Sequence, residues 1–212
     1  MVTLPEMPPT IAALRRDDRG YPVPAFVAWV DGKPEFRAAD SRFMVRAIRE
    51  KLCWVCGTTL DPKGHCFVIG PMCSVTHTTA EPPCHAECAE FSAMACPFLS
   101  KPAAVRREAN MPEGAVDPAG DMIRRNPGVT CLWYCKGYSL FNDGRGGTLI
   151  EIPNPSKVRW WSQGRMATRE EILESITSGL PLLECKADSQ ASKDELRRMV
   201  DRAMKFVPAA AL

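Results

Sequence analysis

The stretches "CWVCG" (residues 53–57) and "PPCHAECAE" (residues 82–90) decide how this chain is to be read. Cys53-x-x-Cys56-Gly57 sets two thiols three positions apart on a tight turn, and the glycine lets backbone N–H groups swing toward the sulfurs. That is half of a tetrahedral zinc site, which takes four Cys or His donors at ~2.3 Å to sulfur and ~2.0 Å to nitrogen. The other half is expected from a helix start, where positions i and i+3 share a face and the dipole favours thiolate. His85-x-x-Cys88, following Pro82-Pro83, has that form. Helix, knuckle, strand-bearing loop and ligand-bearing helix is the order of a treble-clef-like zinc-binding module. The expected ligands of one zinc ion are therefore Cys53, Cys56, His85 and Cys88. Cys84 can stand in for His85, because i and i+4 also share a helical face. His65, Cys66, Cys73 and His77 are spare donors for a second site, at spacings that match no metal pattern.

Four protein donors close a zinc site, whereas a catalytic zinc keeps one position open for water. A deaminase needs His-x-Glu ahead of its Pro-Cys-x-x-Cys, and no histidine precedes Cys53. The His-Glu-x-x-His helix of zincins is absent as well. An HNH-type nuclease would place a catalytic histidine on the hairpin; His65 and His77 are the candidates, and neither has a His or Asp beside it. The reading is a structural zinc and no catalytic residue.

Composition points the same way. The chain has 212 residues, of which 45% are hydrophobic, with ten cysteines and a net charge of +2. Seven of the ten cysteines and all three histidines fall between residues 53 and 96, a clustering that thiols scattered through a core would not give. Basic residues follow the first apolar stretch, the reverse of a secretory leader, and no apolar run reaches membrane-spanning length. A cytoplasmic protein with reduced, metal-binding thiols is expected.

Outward from the metal motif the chain alternates strands and helices. Asp31-Gly32 between "YPVPAFVAWV" and "KPEFRAAD" predicts a hairpin, and Asp40 predicts a cap for a helix over 41–52. "CFVIG" (66–70) predicts the one strand in a turn-rich stretch over 57–81, and residues 84–96 predict a helix. The Pro-rich stretch 96–128 predicts an extended loop or linker. "VTCLWYCKGYSLFN" and "GTLIEIP" around "DGRGG" (143–147) predict a second hairpin, with "SKVRWWSQGRM" as a third strand. Cys131 and Cys135 would then share a buried strand face with Trp133, and Cys185 would fill a packing gap. Thr168 and Glu171 form a capping box for a helix ending at Gly179 and Pro181, and Ser192 and Glu195 open a last helix.

Trp160 and Trp161 with Arg159 and Arg165 suggest a stacking platform for nucleic-acid bases, the plainer reading being that such residues fill strands. Residues 53–100 carry one Lys, no Arg, one Asp and three Glu, a net −3 that suits a phosphate backbone poorly. Arg15-Arg16, Arg106-Arg107 and Arg124-Arg125 read as solvated loop pairs free to meet a partner.

The blocks "GYPVPAFVAWVDGKPEFR", "LCWVCG", "FVIGPMC", "PPCHAECAEFSAMACPFL" and "VRWWSQGRMATREEILESI" resemble a group of uncharacterised proteins encoded by phages and prophages. The resemblance implies a phage-type origin and carries no activity. The expected fold is α+β: a zinc-stabilised treble-clef-like module joined to a small antiparallel sheet with packed C-terminal helices. Residues 1–100 hold the hairpin, helix and zinc module, 101–128 the linker, and 129–212 the sheet and last helices, acting as one unit. The expected role is a non-enzymatic interaction protein binding a host or phage protein in the cytoplasm of a bacterial host, modulating defence or transcription. The alternatives are nucleic-acid binding through the C-terminal sheet and a zinc-dependent HNH-like nuclease.

Overall fold

The structure, a computed structural model, describes residues 4–62, 64–101, 109, 111, 118–120 and 126–209. Most of the expected linker, including both of its Arg pairs, lies outside the described residues.

A short α1 (Pro9–Ala12) is followed by the hairpin β1 (Val27–Val30) and β2 (Lys33–Ala39), turned at Asp31-Gly32 with both residues at positive φ. Asp40 accepts N–H bonds from Arg42 and Phe43 and starts α2 (Ser41–Glu50), which a left-handed Lys51 ends. Then come β3 (His65–Ile69), α3 (Pro71–Thr76), β4 (Thr78–Thr79), α4 (Ala86–Ala95) and a helical turn α5 (Pro97–Ser100). The second half contains β5 (Thr130–Cys135), β6 (Ser139–Asn142), β7 (Thr148–Glu151), β8 (Lys157–Ser162), β9 (Arg165–Met166), α6 (Arg169–Glu184) and α7 (Gln190–Met204). All strand pairs are antiparallel.

The central sheet has the order β3-β5-β8-β9, and a smaller one the order β4-β7-β6. Strands from both sides of residues 101–128 therefore pair directly: β3 with β5, and β4 with β7. Side chains alternate across a strand, and here the alternation divides two cores. Phe67, Ile69, Cys131, Trp133, Cys135 and Trp160 face one side, against α3, α6 and α7. Cys66, Leu132, Tyr134 and Trp161 face the other, where the Cys53–Cys56 turn and α4 pack with Ile11 and Ala47. The central sheet is thus covered on both faces, and the metal motif belongs to the second core.

Five expectations require correction. Residues 129–142 are two strands in two sheets, because Gly137 at φ 73° turns the chain between them. The stretch after "CFVIG" contains α3, started by Pro71 in its first turn, a position where a missing N–H costs nothing. The sixth helix does not stop at Gly179 and Pro181 but runs through both to Glu184. Gly179 is there for proximity: a Cβ on it would lie 2.8 Å from Met72 Cε on α3. The last helix starts at Ser189, whose hydroxyl and that of Ser192 cap each other's backbone N–H, leaving Glu195 to pair with Arg198. Cys185, expected in a packing gap, is exposed.

Candidate metal centre

The first half of the centre is a turn clamped at its base. Cys53 N–H donates to Thr58 O at 2.7 Å and Gly57 N–H to Cys53 O at 2.9 Å, while Cys56 N–H points at Cys53 Sγ at 3.5 Å. Gly57 sits at φ +75°, and a Cβ there would come within 3.0 Å of Ala25 Cβ, so backbone geometry and space both demand glycine. Trp54, inside the turn, stacks on Phe26 at 4.8 Å and on Phe43 at 5.7 Å, fixing the turn to the hairpin and to α2.

The second half is the start of α4. Cys84 forms a two-bond bridge with Cys66, N–H to O at 2.7 and 3.0 Å, and Trp54 N–H donates to Pro83 O at 3.0 Å. These bonds dock the segment onto the first turn. His85 is the N-cap residue of α4, and its side chain does not cap the helix. Its ring faces the thiols instead, with Nδ1 3.4 Å from Cys56 Sγ and 3.9 Å from Cys88 Sγ. The other ring nitrogen, Nε2, lies 3.0 Å from Thr59 O, so a proton on Nε2 leaves the Nδ1 lone pair for an ion. This second-sphere bond is the usual way a protein sets the tautomer and aim of a metal-binding histidine.

The donor atoms of Cys53, Cys56, His85 and Cys88 all lie within 4.8 Å of one another. Tetrahedral zinc at ordinary bond lengths separates its donors by about 3.5–3.8 Å, which the two His85 contacts bracket. The three cysteines are buried and His85 is half-buried. Further polar contacts support the sulfurs: Thr58 Oγ1 at 3.2 Å from Cys56 Sγ, Thr10 Oγ1 at 3.6 Å from Cys88 Sγ, and His85 N–H at 3.4 Å from Cys53 Sγ. Thr10, Thr58 and Thr59 were not foreseen from sequence, although "TT" directly after the knuckle glycine was the available signal.

The charge pattern fits a site that binds a cation. Hydrogen bonds from Cys56, Cys84 and Cys88 pull the Cys53 thiol far below its ordinary range, outweighing burial. The same bonds, to Cys53 and Cys56, push Cys88 upward. A divalent ion held by these thiols would displace their protons. Zinc is compatible with this Cys₃His set, and the four donors leave no protein-imposed open position.

The spare donors go elsewhere. Cys66 is buried in the second core, and burial raises its thiol pKa. Cys73 packs against the first core, where burial pushes it up to about 11. His65 Nδ1 accepts from Gly137 N–H at 3.2 Å and its ring meets Tyr138 edge-on. His77 ends α3 at φ 56° with its ring against Trp133, centroids 4.9 Å apart. Burial lowers both histidines' pKa values, and neither is brought to the Cys₃His cluster.

The four residues suggested for a stacking platform are engaged within the chain. Trp160 is 1% exposed and donates from Nε1 to Phe206 O at 3.0 Å, so its face is unavailable to a base. Trp161 packs half-buried in the second core. Arg159 is held by Glu90 at 2.5 Å, and Arg165 by Glu171 at 2.8 Å. Among the described residues no helix is long and apolar enough to cross a membrane. No protein family, curated protein or solved structure matches this chain.

Proposed function

We propose that this chain is a zinc-stabilised, non-enzymatic interaction protein of phage type that binds a host or phage protein in the bacterial cytoplasm. The observation that carries the metal part is the convergence of Cys53, Cys56, His85 and Cys88, with the His85 ring oriented from behind by Thr59. On this reading the knuckle after α2 and the first turn of α4 form a treble-clef-like module whose zinc joins two segments some thirty residues apart. Its role is mechanical. The ion fixes α4 against the Cys53–Gly57 turn and so braces the core between that turn and the central sheet.

The closed donor set favours structure over catalysis, because a hydrolytic zinc needs an exchangeable ligand. The sequestered Trp160 and the paired Arg159 and Arg165 weigh against the nucleic-acid alternative on that face. The separate placement of His65 and His77 weighs against the nuclease alternative.

The test is metal content per chain after purification without added metal, for the wild type and Cys88→Ala. One zinc per chain, lost together with the folded state in the variant, supports the structural reading. No metal, or metal lost with folding intact and a hydrolytic activity lost alongside it, overturns it. The partner part is tested by affinity capture from host lysate followed by reconstitution with the purified candidate. Failure to reconstitute any stoichiometric complex counts against it.

A further inference from the structure

Away from the metal centre, a cavity of about 630 Å³ lies between the β4–β7 pair and α7. That is within the range of small-molecule sites, roughly 300–1,000 Å³. The fold fixes each wall. His77 O accepts from Ile152 N–H at 2.9 Å, which holds the end of α3 against the end of β7. Pro153 O accepts from Trp133 Nε1–H at 2.9 Å, which anchors the rim at Pro153-Asn154. Glu195, Met199 and Arg202 stand at i, i+4 and i+7 and line the cavity from one face of α7.

The charged groups here have hydrogen-bonding capacity to spare. Arg202 reaches Glu195 only at 3.5 Å, and Glu195 has a closer partner in Arg198 at 2.7 Å. Glu151 is exposed and accepts from Ser139 Oγ at 3.0 Å. His77 also lines the cavity, and among the described residues its buried Nε2 has no hydrogen-bond partner. Native folds seldom leave such an atom unpaired. Burial and the nearby Arg202 lower the His77 pKa and favour the neutral ring. A purely anionic ligand would meet Glu151 and Glu195, and a purely cationic one would meet Arg202. A molecule of both signs suits all three, while Ile152, Pro153 and Met199 offer its body an apolar surface.

We propose that this cavity binds a small zwitterion with an apolar body, the chemistry shared by apolar α-amino acids and short peptides with free ends. Arg202 and Asn154 receive the carboxylate, and Glu151 and Glu195 receive the ammonium. In a peptide, the amide group adds a partner for His77 Nε2. The proposal goes beyond the reading above and does not depend on the metal.

The experiment is calorimetric titration of the full chain with leucine, phenylalanine and leucyl-leucine, and with the N-acetyl and C-terminal amide forms of each. The acetyl forms lack the ammonium and the amides lack the carboxylate. Saturable binding of at least one zwitterion is expected, with each of its blocked forms about tenfold weaker. Whichever zwitterion binds more tightly identifies the source as free amino acid or peptide. Arg202→Ala and Glu151→Gln, both at exposed positions, should each weaken that binding about tenfold with an unchanged Tm. Absence of saturable binding by all three zwitterions, or blocked forms that bind as tightly, would overturn the proposal. The blocked forms act on the wild type, so the test stands even where a variant fails to fold. Zinc content is measured separately, and neither result alters the metal-centre reading.

Discussion

At the residue scale, the centre depends on positions whose chemistry admits few substitutes. Gly57 combines positive φ with a 3.0 Å approach of its absent Cβ to Ala25. Gly57→Ala is therefore expected to lower stability by ~1–3 kcal/mol and to weaken zinc binding, as read by chemical denaturation and competition with a chelator. An unchanged midpoint would mean that the turn relaxes freely. Glu171 shows how a half-buried side chain acquires a specific task. It accepts from Arg165, Thr168 N–H and Ser162 Oγ, and Arg165 above all holds its carboxyl down to about 2. Because the folded value is depressed below the ordinary 4.5, the stabilisation is fully present above that value and fades as pH falls toward 2. Glu171→Gln should accordingly narrow the stability difference between pH 6 and pH 3, measured by thermal unfolding in chelator so that acid release of metal does not intrude. The effect should be modest, since Arg165 is half in solvent.

At the element scale, α3 and α6 meet through glycine. Gly179 faces Met72, with Cε 2.8 Å and Sδ 2.9 Å from where a Cβ would stand. The obstacle is the flexible end of a methionine, so Gly179→Ala should cost less than about 1 kcal/mol, helix propensity offsetting the squeeze. Gly179→Val adds branched bulk that a rotamer change cannot absorb, and about 1–3 kcal/mol should be lost. Comparable Tm values for the two variants would show that the helices do not approach as closely as drawn. Pro181 leaves the Thr177 carbonyl without its intrahelical donor, yet α6 continues. Burial of Ile172, Ser175 and Ile176 on one side of the helix explains why packing outweighs that loss.

At the scale of the whole molecule, the central sheet is a partition with a core on each face. Trp160 fills one of them, and Trp160→Ala should cost ~3–5 kcal/mol. A base-stacking tryptophan would cost little on truncation, so equilibrium unfolding separates the two roles. Removing metal acts on the opposite face, where Cys53, Cys56 and Cys88 are part of the packing. Chelation is expected to lower the Tm and to increase amide exchange first in α4 and residues 52–60, with α6 and α7 protected longer. Uniform exchange throughout the chain would mean that the two cores unfold as one.

The sequence alone determined the two candidate metal-ligand pairs, the Asp31-Gly32 hairpin, the Asp40 and Thr168 caps, and most strands, because spacing and turn chemistry are local properties. It identified Cys53-x-x-Cys56 and His85-x-x-Cys88 as halves of one site, and the structure brings these four residues together. It did not reveal that Gly179 and Pro181 sit inside a helix, that Gly137 sends one apolar run into two sheets, which tryptophan of the Trp160-Trp161 pair is buried, or which acids hold Arg159 and Arg165. Those outcomes depend on which side chains arrive from distant parts of the chain: Met72 against Gly179, Phe206 O at Trp160, Glu90 at Arg159. Nothing within a few residues of each position encodes them. Tertiary structure likewise tied Cys84 to Cys66 through a backbone bridge that periodicity could not have indicated.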